Sequence, residues 1–514
     1  MKKMRIEKKT NVRNSIMRLF FVAVAILFQL FLILNWLGAF RILPYQTNAI
    51  LHICAIIVSL WVYGRDKNAS INIAWMLLIL ALPMVGLVLY AMMGRASLTD
   101  KMRKVYADID AFLFQHYQQD DTVFARLKKE HPYAAGQSRL IWQKGNFPVY
   151  DDTQVKYYGD AYDGFLAQIE EMKKAKKFIF LEYHAIEDGP SFKMMKDVLI
   201  QKAKEGVEVR IFYDDMGSIG FINKDFIRQM ESYDIQCRVF NPLRPWILVF
   251  MNNRDHRKIT VIDGKVGFTG GYNLAEEYFN KTHPYGYWKD SGVKIEGKAV
   301  DSLTLIFLEM WNAVEQTDQS IDQYLCATAS QNDGYVQPYA DSPLDDEYLG
   351  EDVYMNICNH AIDYAYFVTP YLILTDEMVR TFTLAAKRGV DVRIITPGIP
   401  DKKFTYMLTR SFYRDLVMNG VKIYEYTPGF CHAKMSISDG KIATCGTINL
   451  DYRSLYLHFE NGLYMVDCDC IKDIKADFEQ MFKESKEVTR EYKRKISVPV
   501  RTYRAILRLL SPLF

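Results

Sequence analysis

Eight cysteines occur in 514 residues, and none falls in a Cys-x-x-Cys pair or a zinc-type spacing. A disulfide framework and a zinc module are both excluded as organising devices, which leaves free, mostly buried thiols. Cys468-x-Cys470 is too closely spaced to suggest a metal site without further ligands. The chain also lacks a strong charge of either sign. A net charge of +3 names no partner and disfavours a nucleic-acid surface. It has little of the polar bias of disordered chains, being half hydrophobic and 14% aromatic. No small-x-small cleavage site follows the first apolar run, which argues against a removable signal.

Positive charge gathers at the two ends, in "MKKMRIEKKTNVRNSIMR" and "YKRKISVPVRTYRAILRLL". Between the basic start and the rest lie three apolar runs: Leu19 to Trp36, Asn48 to Tyr63, and Ile71 to Met93. A spanning helix needs about 20 apolar residues, because the hydrocarbon is about 30 Å thick. The first and third runs meet that length. The second is borderline, and suits a tilted span or a re-entrant segment. Trp36, Trp61 and Tyr63 stand at run ends, where interfacial aromatics belong. The basic tail favours an inside N-terminus, and Arg95, Lys101, Arg103 and Lys104 also prefer the inside. These signals oppose each other if three runs cross and agree if two do.

From Val155 apolar strands alternate with amphipathic segments. "KFIFLEYH" predicts a strand, "FKMMKDVLIQKAKEG" a helix ended by Gly206, and "VEVRIFYDD" the next strand. "YAYFVTPYL", "DEMVRTFTLAAKRG" (ended by Gly389) and "VDVRIITPG" repeat the series, followed by "IQCRVFNP" in one half and "VKIYEYTP" in the other. Same order and same signals predict an internal duplication of α/β units around mostly parallel sheets. One difference stands out. "LRPWILVFMNNRD" precedes the first chemistry-bearing phrase, where the second copy has only "GFC". The longer run is either a buried loop or strand, or a lip that meets acyl chains.

The repeated phrase is "DHRKITVIDGK", Asp255 to Lys265, and "CHAKMSISDGK", Cys431 to Lys441. His and Lys at i and i+2 of a strand share a face, so each copy offers an imidazole beside an ammonium. Asp-Gly-Lys then closes the strand in a turn. Each copy continues into Gly-x-x-Asn, reaching Asn273 and Asn449, and the small residues before these, Gly271 and Thr447, admit close approach to an oxyanion. Downstream, Asp290 and Glu460 align and are placed to take the Nδ1 proton of an imidazole. Two such half-sites would neutralise a phosphodiester with Lys258 and Lys434. One histidine attacks phosphorus and the other protonates the leaving alcohol. No metal or cofactor is required, and no metal spacing is visible.

The doubled His-x-Lys-x4-Asp pattern resembles the phospholipase D superfamily over roughly residues 140 to 490, with motif residues His256, Lys258, Asp263 and Asn273, then His432, Lys434, Asp439 and Asn449. More narrowly, "NNRDHRKITVIDGKVGFTGGYNLAEEY", "YWKDSGVKIEG" and "GTINLDYRSLYLHFENGL" resemble the bacterial cardiolipin synthases. The resemblance implies a pseudo-two-fold pair of α/β/α repeats with one active site at the seam. It implies a phosphohistidine intermediate, His256 as nucleophile, and transfer of a phosphatidyl group between two phosphatidylglycerols to give cardiolipin and glycerol. It also implies a multi-pass protein of the bacterial cell membrane that needs no cofactor and no nucleic acid, with a homo-oligomer possible. Two departures are Gly271, where the family carries a serine, and His184 in "LEYHAIED", where a tyrosine is commoner. His52, His116, His131, His283, His360 and His458 have no counterpart in the other repeat and are read as structural, as is Asp214-Asp215.

The expected organisation is a membrane region over 1–95 with two to three spans, a linker over 96–140, and a first repeat over 141–320. A linker over 321–345, a second repeat over 346–490 and a basic amphipathic tail over 491–514 follow. The rival activities are a lipid hydrolase or nuclease of the same fold. A non-catalytic membrane scaffold is a third alternative, disfavoured because both copies of the motif are complete.

Overall fold

A computed structural model describes residues 45–64, 68–94, 100–222, 225–242, 253–325, 328–331, 333–345 and 347–513. The apolar run Leu19–Trp36 and most of the run between Pro242 and His256 lie outside the described residues.

Two sheets carry the fold, and they repeat one another strand for strand. The first runs Thr153–Tyr158, Gly292–Gly297, Val266–Gly270, Lys258–Ile262, Phe178–Tyr183, Glu208–Asp214, Ile235–Phe240. The second runs Tyr335–Asp341, Glu460–Val466, Ile442–Gly446, Met435–Ser438, Tyr364–Val368, Asp391–Pro397, Lys422–Tyr426, with Ser485–Glu487 added at the edge. The expected duplication is present, but the sheets are mixed rather than mostly parallel. Within these two sheets, among the described residues, the parallel pairs are the strands joined through helices. The His-x-Lys strand pairs antiparallel on both sides, and a tight turn joins it to the strand that follows.

That turn explains the Asp-Gly-Lys ending. Asp263 and Gly264 have φ of 53° and 65°, and Asp439 and Gly440 have 51° and 67°. Two successive positive φ values make a type I′ turn, which asks for Asp-Gly or Asn-Gly. Lys265 N donates to Ile262 O and Lys441 N to Ser438 O, both at 3.0 Å, closing each turn.

Helices cover the sheets. Asp160 caps the helix Ala161–Lys174 by accepting from Tyr162 N and Asp163 N. Thr375 does the same for Asp376–Lys387 through Met378 N. Gly206 and Gly389 stop their helices at φ of 87° and 101°, as read from the sequence. One core runs through both repeats, joining Phe180 and Ile259 of the first to Ile437 and Leu463 of the second.

Both expected linkers are structured. The 96–140 segment contributes helices Asp100–Phe114, Asp121–Glu130 and Pro132–Gly145, whose Tyr106, Ile109, Leu113 and Ile141 are buried in that core. The 321–345 segment holds the strand Tyr335–Asp341, every residue buried, paired with Glu460–Val466.

The third apolar run is not one spanning helix. It forms Ala69–Ala81, breaks at Leu82, and resumes as Pro83–Leu89 and a short π-helix, Tyr90–Gly94. Pro83 disfavours a helical Leu82, which sits at φ −133°, ψ 69°. The chain folds back so closely that a Cβ on Gly86 would lie 2.5 Å from Ile79 Cα. No described helix is long and apolar enough to cross a membrane. The tail over 491–514 forms the helix Val498–Leu510, docked through buried Leu507 and an ion pair from Arg508 to Asp415.

Candidate active site at the seam

The two repeats meet through short backbone pairings just before each histidine. His256 N donates to Phe459 O at 2.9 Å, and Phe459 N donates to Arg254 O at 2.8 Å. The counterpart is a parallel pairing of Gly429–Cys431 with Tyr287–Lys289, continued by His432 N on Lys289 O at 2.7 Å. Each histidine is therefore laid beside the other repeat's carboxylate. His256 Nδ1 lies 2.8 and 3.0 Å from the two oxygens of Glu460. His432 Nδ1 lies 2.6 Å from Asp290 Oδ2. Sequence order pairs each carboxylate with its own repeat's histidine; the fold crosses them. With the carboxylate on Nδ1, that nitrogen carries the proton and Nε2 keeps its lone pair.

Lys258 Nζ donates to His256 O, and Lys434 Nζ donates to His432 O and lies 2.9 Å from His432 Nδ1. All four side chains are buried. Burial, then the charge of Lys258, pushes His256 well below the ordinary imidazole range. Burial and Lys434 take His432 down to about 3, against the opposing pull of Asp290. Burial lowers Lys258 to about 7 and Lys434 to about 8. An anion set among these four groups would offset both the burial and the mutual repulsion, as a phosphodiester does.

A profile described as "Cardiolipin synthase, PLD-like domain" matches residues 168–311 and 354–482, spanning both half-sites. The chain belongs to the PLD-like cardiolipin synthase family. A second profile, "Phospholipase_D-nuclease N-terminal", matches residues 53–95. Cardiolipin synthase 2 of Bacillus cereus is 32% identical over 464 residues, covering 90% of each chain. An uncharacterized protein of Streptococcus mutans is 42% identical over 456 residues, covering 88% of this chain and 99% of its own. Among solved structures, phosphatidylserine synthase of Haemophilus influenzae shares the fold at a TM-score of 0.56 and 15% identity. It covers 73% of this chain and 99% of that one.

Several site residues expected from the cardiolipin synthase resemblance fall elsewhere. Asp263 and Asp439 are not at the reacting centre. Asp263 lies five steps along the chain from Lys258, roughly 16 Å at about 3.3 Å each. Its carboxylate accepts from Lys176 N, Lys177 N and Phe178 N at 2.8, 2.7 and 3.0 Å. Asp439 accepts from Ile362 N, Asp363 N and Tyr364 N at 2.8, 2.9 and 2.9 Å. Each aspartate ties the end of its strand to the start of the neighbouring one.

Gly271 and Thr447, expected against substrate, lie behind the histidines. The Thr447 hydroxyl donates to Glu460 and accepts from Asn461 N at 2.9 Å. A Cβ on Gly271 would lie 2.1 Å from Asp290 Oδ1, so the glycine makes room for that carboxylate. Asp290 takes its further hydrogen bond from Ser291 N at 2.9 Å. Asn273 accepts from Ala185 N at 3.2 Å and donates to Tyr278 OH at 2.8 Å. Asn449 Oδ1 is buried without a hydrogen-bond partner.

Two more histidines crowd this site: His184, read from the sequence only as a departure from the family pattern, and His458, read as structural. The His184 ring lies 5.0 Å from that of His256, with Nδ1 2.7 Å from Asp255 O. The His458 ring lies 5.6 Å from His256, and both of its nitrogens are buried without hydrogen-bond partners. Position relative to the carboxylate is the signal that finds His458: it stands two residues before Glu460, as Trp288 stands before Asp290. Asp214 proves to be scaffolding, accepting from Gly217 N at 2.9 Å and Asp255 N at 3.1 Å. No metal-ligand spacing is visible in the sequence, yet the fold gathers one ligand atom each from His256, His458 and Glu460 within 4.8 Å of one another.

Proposed function

We propose that the chain is a phosphatidyltransferase that joins two phosphatidylglycerols into cardiolipin and glycerol, with His256 as nucleophile and His432 as acid and base. The observation that carries this reading is the crossed pair, His256 on Glu460 and His432 on Asp290, with a lysine beside each histidine. Neutral His256 attacks phosphorus through Nε2, the bond from phosphorus to the glycerol oxygen breaks, and His432 supplies the proton to that oxygen. A second phosphatidylglycerol then gives its hydroxyl proton to His432. Its oxygen attacks the phosphatidyl group on His256, and the phosphorus–nitrogen bond breaks. Lys258, Lys434 and the side-chain amides of Asn273 and Asn449 hold the phosphate charge.

The division of labour follows from the carboxylates. Thr447 spends its hydroxyl on Glu460 and so reduces the charge Glu460 turns toward His256. Asp290 has no such donor from Gly271, and its 2.6 Å contact to His432 suits an imidazolium. Burial opposes ionisation of Asp290, but His432 and Lys434 outweigh it and hold its carboxyl below the ordinary range.

The enzyme acts at a bilayer, and the multi-pass attachment expected from sequence belongs to this proposal. The helix Tyr45–Tyr63 exposes Ile50, Ile53, Ile57 and Leu60, and Ala69–Ala81 exposes Ile73, Leu77 and Leu80. Asn68 Nδ2 donates to Tyr456 OH at 3.0 Å, tying this region to the catalytic part. The helix Val498–Leu510 turns Val498, Val500, Tyr503, Ile506 and Leu509 outward, a face suited to the acyl boundary of an anionic membrane.

Labelled phosphatidylglycerol tests the reaction: cardiolipin and glycerol are expected, and phosphatidate alone would refute transfer in favour of hydrolysis. Peptide mapping of a trapped phosphatidyl-enzyme should place the label on His256, and label on His432 would reverse the roles.

A further inference from the structure

We infer that His256, His458 and Glu460 form a binding site for a divalent transition metal of the Zn²⁺ class, and that the bound metal switches off the nucleophile. This inhibitory consequence rests on the proposed role of His256; the binding itself does not. Glu460 Oε1 lies 2.8 Å from His256 Nδ1 and 3.7 Å from His458 Nδ1. Ligand atoms about 2.0–2.2 Å from a tetrahedral zinc lie a little over 3 Å apart. The three ligand atoms here lie within 4.8 Å of one another, so side-chain rotations without backbone movement admit the ion. Two imidazoles and one carboxylate are a known zinc donor set, with a fourth position left open. His458 brings two ring nitrogens that are buried and make no hydrogen bond. Thr447 engages Glu460 through Oε2, so Oε1 is the oxygen shared by the two histidines.

The same place in the other half cannot do this. Trp288 stands there, its ring 5.2 Å from His432, and an indole offers no ligand atom. Lys434 Nζ also lies 2.9 Å from His432 Nδ1. The site is therefore confined to the half that carries the proposed nucleophile.

The inhibition follows from tautomers. In the resting site the proton on Nδ1 faces Glu460 and the Nε2 lone pair is free. A metal on Nδ1 displaces that proton and binds the lone pair it leaves behind. The neutral ring then carries its one proton on Nε2, the proton having moved there through solvent. An Nε2–H cannot attack phosphorus, while total charge on the ring is unchanged. Lys258 and Lys434 repel a cation, so binding is reversible and weaker than at a structural zinc site.

The test uses the full chain in detergent, stripped with chelator and titrated with Co²⁺ and then Zn²⁺. One equivalent of Co²⁺ with a tetrahedral-type visible band, displaced by Zn²⁺, is expected. Zn²⁺ should suppress phosphatidyl transfer at least tenfold, with recovery on adding EDTA. His458→Phe should lose the band, while His432→Ala should keep it although turnover is lost. Absence of the band in the unmodified chain, or its persistence in His458→Phe, would overturn the site. A band that depends on His458 alongside unimpaired transfer would uphold the site and overturn His256 as nucleophile.

Discussion

The half-site around His256 and the half-site around His432 start from the same phrase and end in different surroundings. His256 is flanked by His184 and His458, and its carboxylate is shared with Thr447. His432 is walled by Tyr278, Trp288 and Phe430, with ring distances of 5.3, 5.2 and 5.8 Å, and its carboxylate is unshared by any side-chain hydroxyl of the Gly271 position. Duplication supplies identical first tools, and the groups one step behind them differ; the proposed division of work rests on that difference. A carboxylate relieved of part of its charge favours a neutral ring. A carboxylate left whole favours a protonated one.

The strongest way to break this comparison is to remove the orienting charges one at a time. Glu460→Gln and Asp290→Asn should each lower kcat by roughly 10³-fold, the scale of losing a catalytic imidazole's tautomer and its acid–base work. With a phosphatidyl ester whose leaving group needs no proton, Asp290→Asn should still form the phosphatidyl-enzyme and Glu460→Gln should not. Single-turnover trapping with that labelled ester separates the two, and equal loss of the intermediate in both would erase the distinction between the half-sites.

Gly271→Ala comes next. The new Cβ would displace Asp290, and a misplacement of about 1 Å lowers kcat by about 10²-fold. Thermal unfolding should stay cooperative, and a normal kcat would show that Asp290 does not depend on this gap.

Acidity sharpens the comparison further. Lys258 and Lys434 carry lowered values of about 7 and about 8, so each is charged below that range and neutral above it. kcat/KM reports the free enzyme and should fall as pH rises through 7 to 8. Thr447→Val returns charge to Glu460, favours imidazolium at His256, and should raise the pH at which the acidic limb sets in, with kcat down roughly tenfold. An unmoved acidic limb would mean that Thr447 does not set the state of His256.

The smallest effect on turnover is expected at the far ends of the two strands. Asp263→Ala and Asp439→Ala each strand three backbone N–H groups, and should lower stability by about 1–3 kcal/mol with kcat/KM within a few-fold. Denaturant unfolding beside a steady-state assay reads both. A loss of activity as deep as that of Glu460→Gln would return these aspartates to the reacting centre.

Much of this was legible in the order of residues. The repeat is visible because "EGVEVRIFY" and "RGVDVRIIT" impose the same helix stop and the same buried strand. His256, Lys258, His432 and Lys434 are visible because alternation along a strand fixes which side chains share a face. The linkers were misread because Tyr335–Asp341 earns its place only by pairing with Glu460–Val466, over a hundred residues away. The third apolar run was read as one helix because hydropathy alone does not register the break that Pro83 imposes at Leu82.

The sequence by itself determined local matters: the strand and helix periods, the Asp-Gly turns, the paired imidazoles and ammoniums, and the kinship they signal. These depend on neighbours within a few residues. Only the tertiary structure decided which carboxylate serves which histidine, that Asp263 and Asp439 hold strand ends rather than substrate, and that His184 and His458 crowd His256. Those facts arise from pairings across the seam, where Phe459 meets His256 and Lys289 meets His432, and no spacing along the chain encodes a contact between two surfaces that meet only when both repeats have folded.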